Sequence, residues 1–117
     1  CEPTLQAREE TLKRVLSETG AAFIPPYNDS RIIAGQGTCA LELLDQVAGL
    51  DAVVAPVGGG GLLSGTSIAV KSRATTTNVF GAEPAMADDA HQSLKAGRII
   101  PSNDPQTIAD GLKTSLG

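Results

Sequence analysis

Four consecutive glycines, Gly58-Gly59-Gly60-Gly61, lie between the apolar run Ala52–Val57 and the segment Leu62-Leu63-Ser64-Gly65. In order, these read as strand, glycine loop and helix. Glycine takes positive φ at little cost, so several backbone N–H groups can converge on one anion, and the helix that follows adds its unpaired N-terminal donors and the positive end of its dipole. The chemistry implied is capture of a single compact phosphate. A nucleotide-binding Walker loop would close on Lys-Ser or Lys-Thr, whereas Leu62-Leu63 stands here, and Gly58, Gly60 and Gly65 miss the spacing of a dinucleotide fingerprint although Glu83 lies near the end of the next strand. The alternative is a tight turn without a ligand, for which one or two glycines would suffice.

A second set of candidate residues is acidic. Glu83 closes a strand, and Asp88 and Asp89 follow across Pro84-Ala85-Met86-Ala87. Glu83, Asp89 and a backbone oxygen near Ala87 would give Mg2+ or Ca2+ the oxygen ligands such cations take. Alternatively, Asp88 is the N-cap or first-turn acid of the next helix and Glu83 is merely solvated, and the residues alone favour this second possibility. His91 has no histidine partner and no nucleophile beside it, so it reads as an exposed helix residue. Lys13, Lys71, Lys95 and Lys113 lie in solvated helical or charged contexts, none suited to a Schiff base.

The elements that must position these groups follow from hydrophobic periodicity. Leu5, Leu12, Val15 and Leu16 share one face of a helix over residues 5–19, with Glu9–Lys13 and Glu10–Arg14 as i,i+4 pairs and Gly20 as its stop. Ala21–Ile24 reads as a short buried strand and Pro25–Asp29 as a loop. A second helix is expected to begin around Gly35-Gln36-Gly37-Thr38, to carry Leu41, Leu44 and Ala48 on one side, and to stop at Gly49. Then come the strand Ala52–Val57, a helix over about 62–72, a polar link, the strand Asn78–Ala82, and a helix Ala87–Ala96 ended by Gly97. Alternating strands and helices imply an α/β fold with a parallel sheet covered on both faces and ligands at the carboxyl ends of its strands.

Composition limits the partners. The 117 residues are 41% hydrophobic and 3% aromatic with net charge −4, which excludes a nucleic-acid surface, and no apolar run is long enough to span a bilayer. Cys1 and Cys39 lack zinc or disulfide spacing, and Cys39 reads as a small buried residue. The chain begins at Cys1 and stops at Gly117, after a segment that leads towards more structure, so it is expected to be a piece of a longer protein. A cytoplasmic setting is the default expectation.

Gly35-Gln36-Gly37-Thr38, Pro56–Leu62, Ala82-Glu83-Pro84-Ala85-Met86-Ala87-Asp88-Asp89 and Thr107-Ile108-Ala109-Asp110-Gly111 occur in the order and spacing of the fold-type-II pyridoxal-phosphate enzymes. The chain resembles the serine racemase branch of that family, which is grouped with the serine and threonine dehydratases, and the likeness runs through nearly all of its length. The resemblance implies that Gly58, Gly59, Gly60, Gly61 and the Leu62 backbone hold the phosphate of pyridoxal 5'-phosphate. It also implies that Glu83, Ala87 and Asp89 hold a structural or allosteric Mg2+, or Ca2+ or Mn2+ in its place, reversing the preference drawn from the residues alone. The implied activity interconverts L- and D-serine and dehydrates serine to pyruvate and ammonia, an isomerase and lyase chemistry of amino-acid metabolism. L-threonine is a further candidate substrate, and a homodimer and an ATP effector are implied as well.

By the same resemblance, residues 1–117 form one segment, part of the large cofactor-binding domain. No catalytic residue falls within it. The Schiff-base lysine and the serine facing it belong upstream, and the partner of the pyridine nitrogen belongs downstream, so the isolated segment is expected to be inactive. A threonine dehydratase of the same fold and a non-catalytic module that binds a phosphate ligand are the alternatives.

Overall fold

Side chains that satisfy the first backbone N–H groups decide where the helices of this chain begin. The computed structural model describes residue 2 and residues 4–117, so Cys1 lies outside the described residues. Helix α1 (Leu5–Thr19) starts at Thr4, whose hydroxyl accepts the Ala7 N–H, and ends at Gly20 in the left-handed region, φ 66°. Helix α2 (Ser30–Gln46) starts at Asp29, whose carboxylate accepts the Arg31 N–H. It therefore begins five residues before the expected position near Gly35 and ends before Gly49, with Val47 as its C-cap. A negatively charged cap outweighs the helix-weakening effect of Gly35 and Gly37.

Strand β1 (Ala52–Pro56) and strand β2 (Asn78–Ala82) pair in parallel, from Ala52↔Asn78 to Pro56↔Ala82. A parallel pair requires a crossover, and helix α3 (Gly61–Arg73) supplies it. Helix α4 (Asp89–Ala96) follows and ends at Gly97, φ 63°, and a 3-10 turn occupies Asp110–Leu112. The architecture is α/β, a parallel sheet flanked by helices.

The core forms where α2 crosses α3. Val70 is wholly buried, Ala40 and Ala69 nearly so, and Leu41, Leu44, Val53 and Val79 pack around them. Burying one such aliphatic side chain contributes about 1.5–3 kcal/mol. Two glycines permit the close crossing. A Cβ on Gly65 would lie 2.4 Å from the Ile33 carbonyl oxygen and 2.6 Å from the Gly37 nitrogen, and one on Gly37 would lie 2.9 Å from the Gly65 carbonyl oxygen. The two backbones touch, and neither can yield without the helices moving apart.

Several expectations are corrected. Residues 21–24 form no strand; Phe23 and Ile24 are 50% and 73% exposed, with no neighbouring strand to pair with among the described residues. The sheet is covered by α3 on one face, whereas Val54 and Phe80 on the other are 64% and 54% exposed. Cys39 is exposed, because it lies off the α2 face that carries Gly37 and Ala40. Ala48 lies beyond α2 and is exposed. In α1 the ion pair formed is Arg14–Glu18 at 3.6 Å, and Glu10 accepts from Gln6 instead of pairing with Arg14.

Asp29 also carries a pH signature. The Arg31 side chain donates to both carboxylate oxygens, and this, with the Arg31 backbone N–H, lowers its pKa from 3.8 to about 2. A depressed carboxylate stabilises the fold above its unfolded value and loses that contribution as pH falls through its folded value. Asp29→Asn, which keeps an acceptor that does not titrate, should therefore flatten the stability profile between pH 3.8 and about 2. For the helix crossing, Gly65→Ala should destabilise by about 1–3 kcal/mol or more in urea denaturation. Gly35→Ala, with nothing within 4 Å of its Cβ, should instead stabilise by about 0.5–1 kcal/mol. Equal effects of the two substitutions would refute the close-contact account.

Candidate functional site

The glycine loop is the turn from the carboxyl end of β1 into α3. Val57 continues the parallel ladder by donating to the Ala82 carbonyl at 3.0 Å, and Gly60, at φ 90°, is the N-cap of α3. Helices α1, α2 and α4 each receive a side-chain acceptor at their N-terminus, from Thr4, Asp29 and Glu83. Gly60 can offer none. Among the described residues, the N–H groups of Gly58, Gly59 and Gly60 donate no hydrogen bond. The loop thus presents unused donors at the positive end of a helix, the arrangement that binds an anion.

Glycine is required by the loop's surroundings as well as by φ. A Cβ on Gly59 would lie 2.2 Å from the Tyr27 ring, one on Gly61 3.0 Å from the Tyr27 Cβ, and one on Gly58 3.0 Å from the Thr114 methyl. Tyr27 and Thr114 are themselves joined, hydroxyl to hydroxyl, at 3.2 Å. A cavity of about 440 Å3 opens beside the loop, lined by Gly58–Leu62, Tyr27, Arg8, Gln36 and residues 110–114. The structure thus gathers all five residues expected at the phosphate site along one wall.

Tyr27, Thr114 and Arg8 line the same cavity and are not singled out by reading the sequence. Tyr27 sits in a proline-flanked loop and Arg8 on a helix rich in charge, so neither stands out by pattern. Lys113 also lines this cavity and pairs with Asp110 at 3.7 Å. Lys71 instead donates to the Thr75 and Thr77 carbonyls in the link before β2.

The acidic residues meet at the start of α4. Both Glu83 oxygens are used: Oε1 accepts the Ala90 N–H at 3.0 Å and Oε2 the His91 N–H at 2.8 Å. Glu83 is therefore the cap of α4, reached by folding back over the Pro84–Ala87 turn, and it is not merely solvated. Asp88 occupies the N-cap position but accepts from the Gln92 side chain, and α4 begins at Asp89, two residues later than the expected Ala87. Asp89 is buried and its Oδ2 accepts the Leu116 N–H at 2.8 Å. The Ala87 carbonyl accepts no hydrogen bond among the described residues. No group of three or more His, Cys, Asp or Glu side chains gathers among the described residues, so any cation here would rest on two carboxylates and a carbonyl. His91 is exposed, as its pattern indicated.

Comparison with known proteins agrees with this geometry. Residues 1–116 match the family described as "Pyridoxal-phosphate dependent enzyme". The chain is 58% identical over 116 residues to the beta-hydroxyaspartate dehydratase of Paracoccus denitrificans (strain Pd 1222), covering 99% of this chain and 37% of that protein. It is 54% identical over 116 residues to the serine racemase of Arabidopsis thaliana, covering 99% of this chain and 35% of that protein. The crystal structure of a T.th. threonine deaminase superposes with a TM-score of 0.92 at 51% identity, over 99% of this chain and 40% of that one. The chain thus spans little more than a third of the length of the curated relatives it matches.

The contacts of the loop order the effects of substitution. Gly59→Ala, which drives a methyl into the Tyr27 ring, should weaken binding of a phosphate monoester at least about tenfold in calorimetric titration. Gly58→Ala meets only the end of the Thr114 side chain and should cost less. Equal losses would mean that Tyr27 does not shape the cradle.

Proposed function

Because the chain belongs to the pyridoxal-phosphate dependent enzymes, we propose that it is the phosphate-holding part of a serine racemase that also dehydrates serine to pyruvate and ammonia. The observation that carries this is the loop of three unused N–H donors at the one α helix without a side-chain cap among the described residues, where a Cβ on Gly59 would overlap the Tyr27 ring and one on Gly58, Gly60 or Gly61 would sit within 3.0 Å of a neighbour. These residues fit the phosphate of the cofactor. When bound, pyridoxal phosphate draws electrons from the α carbon of an amino acid and so acidifies its C–H.

The chain's own residues have supporting roles in this proposal. Gly58, Gly59, Gly60, Gly61 and the Leu62 backbone bind the phosphate, while Tyr27 and Thr114 hold the loop's shape. Arg8 lines the same cavity and offers a fixed positive charge suited to a substrate carboxylate. Glu83, Asp89 and the Ala87 carbonyl are the oxygen donors that would hold Mg2+, Ca2+ or Mn2+ at the helix start that follows β2, the carboxylates then sharing oxygens that now accept backbone N–H groups. No residue of this chain is assigned the proton at the α carbon; a lysine and a facing acid elsewhere in the full-length protein carry it. The isolated segment is accordingly without turnover. A homodimer, an ATP effector and a cytoplasmic setting belong to the same proposal, supported by family likeness alone.

A second reading, dehydration of β-hydroxyaspartate, is favoured by the 58% identity to a relative of that name. The full-length protein should be given L-serine, L-threonine and β-hydroxyaspartate in turn, with D-serine and keto acid measured with and without EDTA. The racemase proposal expects D-serine and pyruvate from L-serine, with EDTA lowering turnover and Mg2+ restoring it. Keto acid from β-hydroxyaspartate with no D-serine from L-serine would establish the second reading in its place.

A further inference from the structure

We infer that Asp89 is a positioning residue for the glycine loop, acting through the backbone of Leu116 and Gly117; this rests on the phosphate role proposed for Gly58–Leu62. Asp89 is 6% exposed, and its Oδ2 accepts the Leu116 N–H at 2.8 Å. The next N–H along the chain, that of Gly117, donates to the Gly59 carbonyl at 3.2 Å. Two consecutive amides therefore tie the first residue of α4 to the middle of the glycine loop. Displacing one carries the other with it.

The orientation this imposes on the loop follows from peptide geometry. The Gly59–Gly60 peptide is planar and trans, so its carbonyl and its N–H point in opposite directions. Holding the Gly59 carbonyl against Gly117 turns the Gly60 N–H the other way, and that N–H donates to no described residue. Asp89 thus helps to fix the direction of a donor it does not touch. The link is confined by packing: a Cβ on Gly60 would lie 3.0 Å from the Leu116 side chain, and a Cβ on Gly117 would lie 2.8 Å from the Tyr27 ring. The segment is also anchored by the Ser115 hydroxyl, which accepts the Ser102 N–H at 3.2 Å. A buried carboxylate whose oxygen is spent on a backbone amide near the loop does more than begin a helix.

The test compares pyridoxal phosphate with pyridoxal, which lacks the phosphate, in absorbance titrations of the full-length apoprotein. EDTA is present throughout, so that any cation at Glu83 and Asp89 is removed from the comparison. Asp89→Ala should weaken pyridoxal phosphate about tenfold and leave pyridoxal unchanged, the loss expected for one hydrogen bond to a charged acceptor. Asp89→Asn keeps an oxygen acceptor and should recover most of that affinity. If the alanine variant does not fold, Asp89→Glu, whose oxygens sit one methylene farther out, should show the same phosphate-specific loss; wild-type affinity there would overturn the inference. Equal weakening of both ligands would overturn it as general damage, and equal weakness of the Ala and Asn variants would overturn it in favour of charge. A wild-type protein with no preference for the phosphorylated ligand would instead refute the phosphate role itself, an outcome visible before any variant is made.

Discussion

The approach of α2 to α3 at Gly37 and Gly65 is the contact on which the rest of the arrangement depends. It is a contact of backbone on backbone, with a hypothetical Gly65 Cβ only 2.4 Å from the Ile33 carbonyl oxygen and 2.6 Å from the Gly37 nitrogen. Side chains can adapt to one another, but main chains at this range cannot. The crossing brings Ala40, Ala69 and Val70 into one buried cluster and carries Val53 and Val79 of the sheet with it. It also sets the position of both walls of the cavity beside the glycine loop. The loop is the N-terminal extension of α3, and Tyr27 stands two residues before Asp29, the cap of α2. Fixing the helices against each other therefore fixes Tyr27, its ring against Gly59 and its Cβ and backbone against Gly61.

Electrostatics acts on what that packing leaves. A helix of ordinary length carries partial positive charge at its N-terminus, and its first N–H groups need acceptors. Thr4, Asp29 and Glu83 meet that need for α1, α2 and α4. In α3 the corresponding position is Gly60, and the residues before it are also glycines. The acceptor that α3 lacks is of the kind an anion supplies, and a Cβ at Gly60 would be both strained by its φ of 90° and set 3.0 Å from the Leu116 side chain. Absence of side chains is thus both a steric and an electrostatic requirement of the same few residues.

Much of this was legible in the residues themselves. The bounds of α1 and β2 follow from the Gly20 stop and from apolar patterning, and the strand–glycine–helix order gives α3 and its loop directly. What was not legible depends on contacts distant in sequence. Gly37 reads as an element of a motif until Gly65 is found against it. Asp29 reads as a turn residue within Pro25–Asp29 until its carboxylate is seen to grip Arg31 and start α2 ahead of two glycines. Phe23 and Ile24 have strand composition, but a strand exists only where a neighbour offers hydrogen bonds, and none of the described residues does. Glu83 illustrates the same limit at the site: its spacing from Asp89 marks an acidic turn, and its role as the α4 cap depends on the fold-back over Pro84.

The relation between this segment and reaction type follows from what it holds. A phosphate group anchors one end of a cofactor, while bond making and breaking occur at the other. The requirements on the cradle are free N–H groups, a helix dipole and room, and they are the same whether the amino acid loses water or inverts its α carbon. Relatives named for dehydration and for racemisation can therefore share this segment with similar fidelity. The acidic turn at Glu83–Asp89 adds a structural constraint of the same neutral kind, since Glu83 and Asp89 accept from backbone amides of α4 and Leu116 and Asp88 accepts from the Gln92 side chain. The cavity beside the loop is also lined by charged side chains. Within this chain Arg8 is the charged group there whose positive charge has no carboxylate partner among the ion pairs of the described residues, whereas Lys113 is matched by Asp110. A guanidinium left without a carboxylate partner in that cavity is the kind of group that pairs with a carboxylate.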